Sequence, residues 1–163
     1  MTRTVRRTRA RDCGFSFVEL LVVTALIGIL ASAIMPLAHV AMQRQREIEL
    51  RRALRELRTS IDHFKDAADQ GMIAGPELKL GNEGYPPTLD VLVEGVRAAG
   101  TAADRKLKFL RRIPVDPITG SKEWGMRSYQ DRPDARTWGG QNVYDVFSTS
   151  DGTALDGSKY KEW

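Results

Sequence analysis

From Phe15 to Leu37 the chain is almost wholly apolar, and Glu19 is its one charged side chain there. No other stretch restricts the fold so tightly. As an α-helix the run is about 33 Å long, enough to cross a hydrocarbon layer of about 30 Å. Thr24 and Ser32 interrupt it, but their hydroxyls can bond back to helix carbonyls. A core helix of a soluble protein is seldom so long and so apolar on every side. The pattern therefore predicts a single membrane-spanning helix. A carboxylate within such a helix costs roughly 2.5–3.5 kcal/mol on insertion scales, so Glu19 calls for a partner.

Arg3, Arg6, Arg7, Arg9 and Arg11 precede the run, against Asp12 alone. Positive charge is retained on the cytoplasmic side of a membrane, which places the N-terminus in the cytoplasm and the rest across the bilayer. An ordinary secretory signal ends in small residues after its apolar core. Here the small residues Ala31-Ser32-Ala33 lie deep inside the run, so that route is not expected. Arg6-Arg7 lacks the apolar residues that follow a twin-arginine pair.

The order of these features is specific: a basic head, Gly14, Phe15, Glu19 four residues on, and an apolar helix. The string Gly14-Phe15-Ser16-Phe17-Val18-Glu19-Leu20-Leu21 resembles the N-terminal processing motif of type IV pilins and pseudopilins. Ser16 and Phe17 stand where that family commonly has Thr-Leu or Thr-Ile. The resemblance implies that a prepilin peptidase cuts between Gly14 and Phe15 and methylates the new amine on Phe15. It also implies that Glu19 of one subunit pairs with the Phe15 ammonium of a neighbour in the fibre. Opposite charges attract strongly in low dielectric, and either one alone there is costly. The alternative is that Glu19 snorkels to water at the interface. Gly28 and Pro36 match the family's spacing for a stretch of helix that loosens on assembly. A plain kink is the other reading, and the residues alone leave both open.

The residues before the implied cut carry the whole formal excess of +4. The mature chain is then balanced, and the basic composition is a topology signal rather than a nucleic-acid footprint. Arg44, Arg46, Arg51, Arg52, Arg55 and Arg58 are interleaved with Glu47, Glu49 and Glu56, the pattern of a solvated helix face or an inter-subunit contact. Cys13 is the only cysteine and would leave with the leader, so no disulfide is expected. Many adhesive type IV pilins close a C-terminal loop with one; its absence points to the pseudopilin branch. No lipobox precedes Cys13 to mark it for acylation.

Beyond Pro36, Leu50, Leu54, Leu57, Ile61, Phe64 and Ala68 recur by fours and threes, which predicts an amphipathic helix. Gly71 and Gly75-Pro76 end it. Its stripe would be a coiled-coil seam or the face on which a small sheet packs; the strand-like segments that follow favour the sheet. His39 and His63 share no metal-binding spacing. Thr88 would N-cap a short helix from Leu89 to Ala98. Gly84-Tyr85-Pro86-Pro87-Thr88-Leu89 and the Pro114 to Pro117 string are similar to connecting segments of major pseudopilins. Trp124–Tyr129 and Asn142–Ser148 are the strand candidates, separated by a polar loop. The expected class is α+β: a long N-terminal helix packed on a small antiparallel sheet, the pilin-like fold. The expected organisation is a leader at 1–14, a membrane segment at 15–37, an amphipathic continuation at 38–75 and a globular domain at 76–163.

Ser148 to Ser158 is rich in oxygen donors, with acids at Asp151 and Asp156. From its chemistry alone this is a pair of Asp-Gly turns without EF-hand spacing. The resemblance implies more, because major pseudopilins bind calcium in a similar loop ahead of a terminal Trp, here Trp163. It assigns Asp151 and Asp156 as ligands, with Ser148, Ser150 and Ser158 as further donors.

The resemblance therefore implies a structural subunit of a type II secretion pseudopilus, in the inner membrane and then in a periplasmic helical fibre. Its partners would be further copies of itself, minor pseudopilins, an inner-membrane assembly platform, the prepilin peptidase and membrane lipid. No nucleophile–base pair, phosphate loop or metal-catalytic motif marks an enzyme. The alternatives are a true type IV or competence-type pilin, and a signal-anchored periplasmic binding module that never polymerises.

Overall fold

The computed structural model describes residues 16–74, 81–100 and 105–163, and for 33–37 it describes the backbone alone. The chain forms two compact units, Met1–His39 and Val40–Trp163. One helix, α1 (Phe17–Asp69), contributes to both.

In the first unit α1 exposes its apolar side chains all round. Phe17 is 74% exposed and Leu30 68%, with Val18, Leu20, Leu21 and Ile27 similarly bare. The Thr24 and Ser32 hydroxyls are satisfied within the helix. Thr24 Oγ1 donates to the carbonyls of Leu20 and Leu21 at 2.9 and 3.0 Å, and Ser32 Oγ donates to that of Ile29 at 2.7 Å. The backbone is helical at Gly28 and through Pro36.

In the second unit the predicted stripe is the core. Leu50, Leu54, Leu57, Ile61 and Phe64 are buried, joined by Ala53 and Ala67, with Ala68 half-buried beside them. The helix ends at Asp69, at the first predicted stop; the continuation expected to 75 is overturned at Ile73–Ala74, which form a strand, and the second stop, Gly75-Pro76, lies outside the described residues. Gly71 takes φ +66°, its N–H donates to Ala68 O, and Met72 N–H reaches back to Ala67 O at 2.9 Å. This paired closure satisfies the last carbonyls and needs a left-handed residue.

Three short strands follow around a helix. β1 (Ile73–Ala74), β2 (Val96–Ala98) and β3 (Lys106–Leu107) form an antiparallel sheet in the order β1-β2-β3, with α2 (Leu89–Glu94) before β2. Ile73 lies opposite Ala98, and Val96 opposite Leu107. The sequence reading carried α2 to Ala98. It ends earlier because Gly95 adopts φ +82°, and a Cβ there would meet Leu107 O at 2.7 Å. Thr88 does occupy the N-cap position, but its side chain makes no capping hydrogen bond.

The second sheet pairs β4 (Gly125–Arg127) with β5 (Asp145–Phe147), inside the two predicted strand segments. Asp116, fully buried, holds the preceding Asp-Pro turn. Its Oδ1 accepts from Ile118 N–H at 2.7 Å, and its Oδ2 accepts from Ser148 Oγ at 2.6 Å. Trp124 Nε1 donates to Pro114 O at 3.0 Å. Val143, Val146 and Trp124 join the helix stripe in one apolar cluster. The protein is α+β, a long N-terminal helix packed against small antiparallel sheets, consistent with a pilin-like fold.

Leu57 is fully buried on this stripe. Leu57→Ala is expected to lower the unfolding free energy by about 2–5 kcal/mol, read from denaturant curves on the detergent-extracted chain.

Candidate functional site

Two regions carry the predicted functional residues. At the N-terminal end, Leu20 N–H donates to Ser16 O at 3.1 Å and opens α1. Glu19 sits in the first turn, exposed, where an acid is favoured by the unpaired N–H groups of a helix start. It makes no ion pair among the described residues. Gly14 and Phe15, the predicted cleavage pair, lie outside the described residues. Gly28 is in open space, with nothing within 4 Å of an added Cβ. The side chain of Pro36 lies outside the described residues. Among the described residues no helix is long and apolar enough to cross a membrane. The predicted span takes in Phe15 and residues 33–37, whose side chains lie outside the described residues.

The C-terminal region is tied to α1 by a group that sequence reasoning misplaced. The interleaved charges predict Glu47 on a solvated helix face or at an inter-subunit contact, yet it is only 6% exposed within the chain itself. Its Oε1 accepts from Leu155 N–H at 2.8 Å, from Tyr160 Oη at 3.1 Å and from Gln43 Nε2 at 3.3 Å. Gln43 Nε2 also donates to Thr153 O at 3.1 Å. Burial raises the Tyr160 hydroxyl pKa, and the neighbouring Glu47 adds to the effect. No local signal separates Glu47 from Glu49 or Glu56. Only its register, one turn before Leu50 and two before Leu54, places it on the apolar face.

A second anchor is Arg58. It donates to Asp145 Oδ1 at 2.7 Å, Val146 O at 3.1 Å and Trp163 O at 2.9 Å, so one guanidinium joins α1, β5 and the terminal tryptophan. Trp163 Nε1 donates to Ser158 Oγ at 2.7 Å. The Arg51 guanidinium lies 4.2 Å over the Trp163 ring.

The predicted calcium donors have partners in the chain. Asp151 accepts from Lys161 Nζ at 2.7 Å. Asp156 accepts from Ser158 N–H and Oγ at 2.9 and 2.6 Å, with Arg51 at 3.5 Å. Ser148 is buried against Asp116, whereas Ser150 Oγ accepts from Gly152 N–H at 3.2 Å. Among the described residues no three His, Cys, Asp or Glu side chains gather as a metal site. Carboxylate and hydroxyl oxygens are the donor type a hard cation takes, but here each is engaged within the chain. Asp151 and Asp156 are exposed, and both carboxyls are held below the usual range. For Asp151 the main cause is the Lys161 hydrogen bond, and for Asp156 the Ser158 hydroxyl.

Asp131 closes the polar loop before β5 by accepting from Ser128 N–H at 2.7 Å and Gly139 N–H at 3.0 Å, and these bonds lower its pKa. A depressed folded-state pKa gives stability that is complete above the unfolded carboxyl value, about 3.9. That stability is lost as pH falls through the lower folded value. Asp131→Asn is expected to remove part of the acid dependence of the 128–139 loop. The check is the pH profile of the Ser128 and Gly139 amide shifts, which should titrate below the usual Asp range in the parent and stay flat in the variant.

Residues 9–35 match the family model described as the prokaryotic N-terminal methylation motif. No curated protein and no solved structure matches the chain. The matched stretch contains Gly14, Phe15, Glu19 and Gly28 and ends just before Pro36. The chain therefore carries a type IV pilin-like prepilin signal, which supports the pilin and pseudopilin family and is consistent with a polymerising subunit processed by a prepilin peptidase.

Proposed function

We propose that this protein is a structural subunit of a type II secretion pseudopilus. The observation that carries the proposal is the methylation motif at 9–35 set on a helix whose first unit leaves its apolar surface bare. Lipid covers that surface before assembly, with the basic head in the cytoplasm and the globular domain in the periplasm. Neighbouring copies cover it afterwards. The peptidase cuts after Gly14 and methylates Phe15. Glu19 then meets the Phe15 amine of the adjoining copy, which neutralises two charges that are each costly in lipid. An assembly platform in the inner membrane and minor pseudopilins complete the partners. The fibre drives folded proteins toward an outer-membrane channel and does no chemistry itself.

Two other readings share the motif or the anchor. A true type IV or competence-type pilin would make long extracellular fibres, whereas the secretion reading expects cargo to accumulate in the periplasm when the gene is deleted. A binding module that never polymerises would keep its leader. The lack of any cysteine after Phe15 favours the secretion subunit over disulfide-closed adhesive pilins.

Glu19→Val is expected to insert in the membrane as the parent does, yet to enter fibres poorly when co-produced with wild-type chain. Equal incorporation, measured in sheared or pelleted polymer, removes the role assigned to the carboxylate.

Calcium is the ion proposed for the C-terminal loop. Asp151 and Asp156 supply the charge, Ser150 and Ser158 supply further oxygen donors, and Ser148 braces the loop base through Asp116. Bound calcium would add to the hold of Glu47 and Arg58 at acids whose own ion pairs are exposed and individually weak. Chelator is expected to lower the thermal midpoint of the protein and added calcium to restore it. A midpoint unmoved by either removes the ion.

A further inference from the structure

Beside the terminal tryptophan, α1 forms one wall of a groove of about 590 Å³, lined by Arg51, Leu54, Arg55, Arg58 and Trp163, with Asp62 its single acid. The charges in it are unequally used. Arg58 is committed to Asp145 and two carbonyls. Arg51 stacks on Trp163 and reaches Asp156 only at 3.5 Å, with both side chains 55% exposed. Arg55 is exposed and makes no ion pair among the described residues. Arg51 and Arg55 are four residues apart, so they project from one face of α1, about 5–6 Å apart at their Cβ atoms.

The same spacing with the opposite sign occurs elsewhere on the molecule. α2 buries Leu89 and Leu92 and exposes Asp90 and Glu94. These acids are also four residues apart, one turn along the outer face. Neither makes an ion pair among the described residues. One helix carries two cations one turn apart, and another carries two carboxylates at the same spacing.

We propose that the Arg51–Arg55 groove receives the Asp90–Glu94 face of a second copy of this chain. This rests on the fibre reading and names one of its contacts. The patches are different surfaces, so the contact is head-to-tail. Head-to-tail contacts that do not close generate open helical filaments. Charge balance favours a second copy over a polyanion. After Gly14 the chain carries as many Lys and Arg as Asp and Glu, and the groove itself contains Asp62. Leu54 and Trp163 give it an apolar floor that excludes water around the pairs, as a productive interface needs.

The test uses full-length chain produced in its own membrane, with the pelletable polymer as readout. Arg51→Glu/Arg55→Glu and Asp90→Lys/Glu94→Lys are each expected to reduce polymer about tenfold or more, since like charges brought together in an interface suppress binding strongly. Co-production of the two variants is expected to restore it, because each altered patch then meets its new complement. Arg55→Glu alone leaves the Trp163 stack intact and is expected to show a smaller loss with an unchanged thermal midpoint. Wild-type polymer levels in both double variants overturn the interface, as does a loss that mixing fails to rescue. Anionic lipid or nucleic acid as the true occupant would give that second result. Absence of polymer from the wild-type chain itself sinks the fibre reading and this contact together.

Discussion

The apolar surface of α1 has two destinations, and the structure depends on keeping them apart. From Leu50 to Ala67 it is buried by the chain itself, against Trp124, Val143 and Val146. From Phe17 to Leu30 nothing in the described residues covers it. Removing apolar surface from water stabilises by about 25 cal/mol per Å², so a bare helix of this kind is stable only where lipid or another protein takes the place of water. That one requirement links the prepilin signal to the proposed anchor and polymer.

The globular unit makes the lower part of α1 a scaffold for display. Glu47 and Arg58 act as two polar clasps on one helix. Glu47 holds the Leu155 amide and Tyr160, while Arg58 holds β5 and the carbonyl of Trp163. Buried or half-buried charges of this sort stabilise only when their bonds are complete, and both are well provided. The C-terminal loop is thereby held against the helix before any ion is considered. Asp151 and Asp156 are left on the exposed side of that clasped loop.

Much of this was legible in the sequence because it rests on periodicity. Leu50, Leu54, Leu57, Ile61 and Phe64 announce their face by spacing alone, and the two aromatic and β-branched segments became β4 and β5. The first sheet was not legible. β1 and β3 are two residues each, too short for alternation to show, and β2 exists because Gly95 turns the chain after α2. Glu47 was missed for a related reason. A lone acid among arginines reads as solvated unless its register against the apolar stripe is followed one turn upstream. The N-terminal signal was the clearest feature, since Gly14, Phe15 and Glu19 form a fixed order that owes nothing to tertiary structure, and the family match fell on the same residues.

The account stands most directly on what becomes of the backbone between Gly14 and Phe15. Intact-mass and N-terminal peptide mass spectrometry of the protein extracted from its native membrane measures it. The expected species begins at Phe15 and carries one methyl group on its α-amine. A chain that retains Met1, or begins at any other residue, contradicts the polymer account, because Glu19 would then have no ammonium at Phe15 to neutralise.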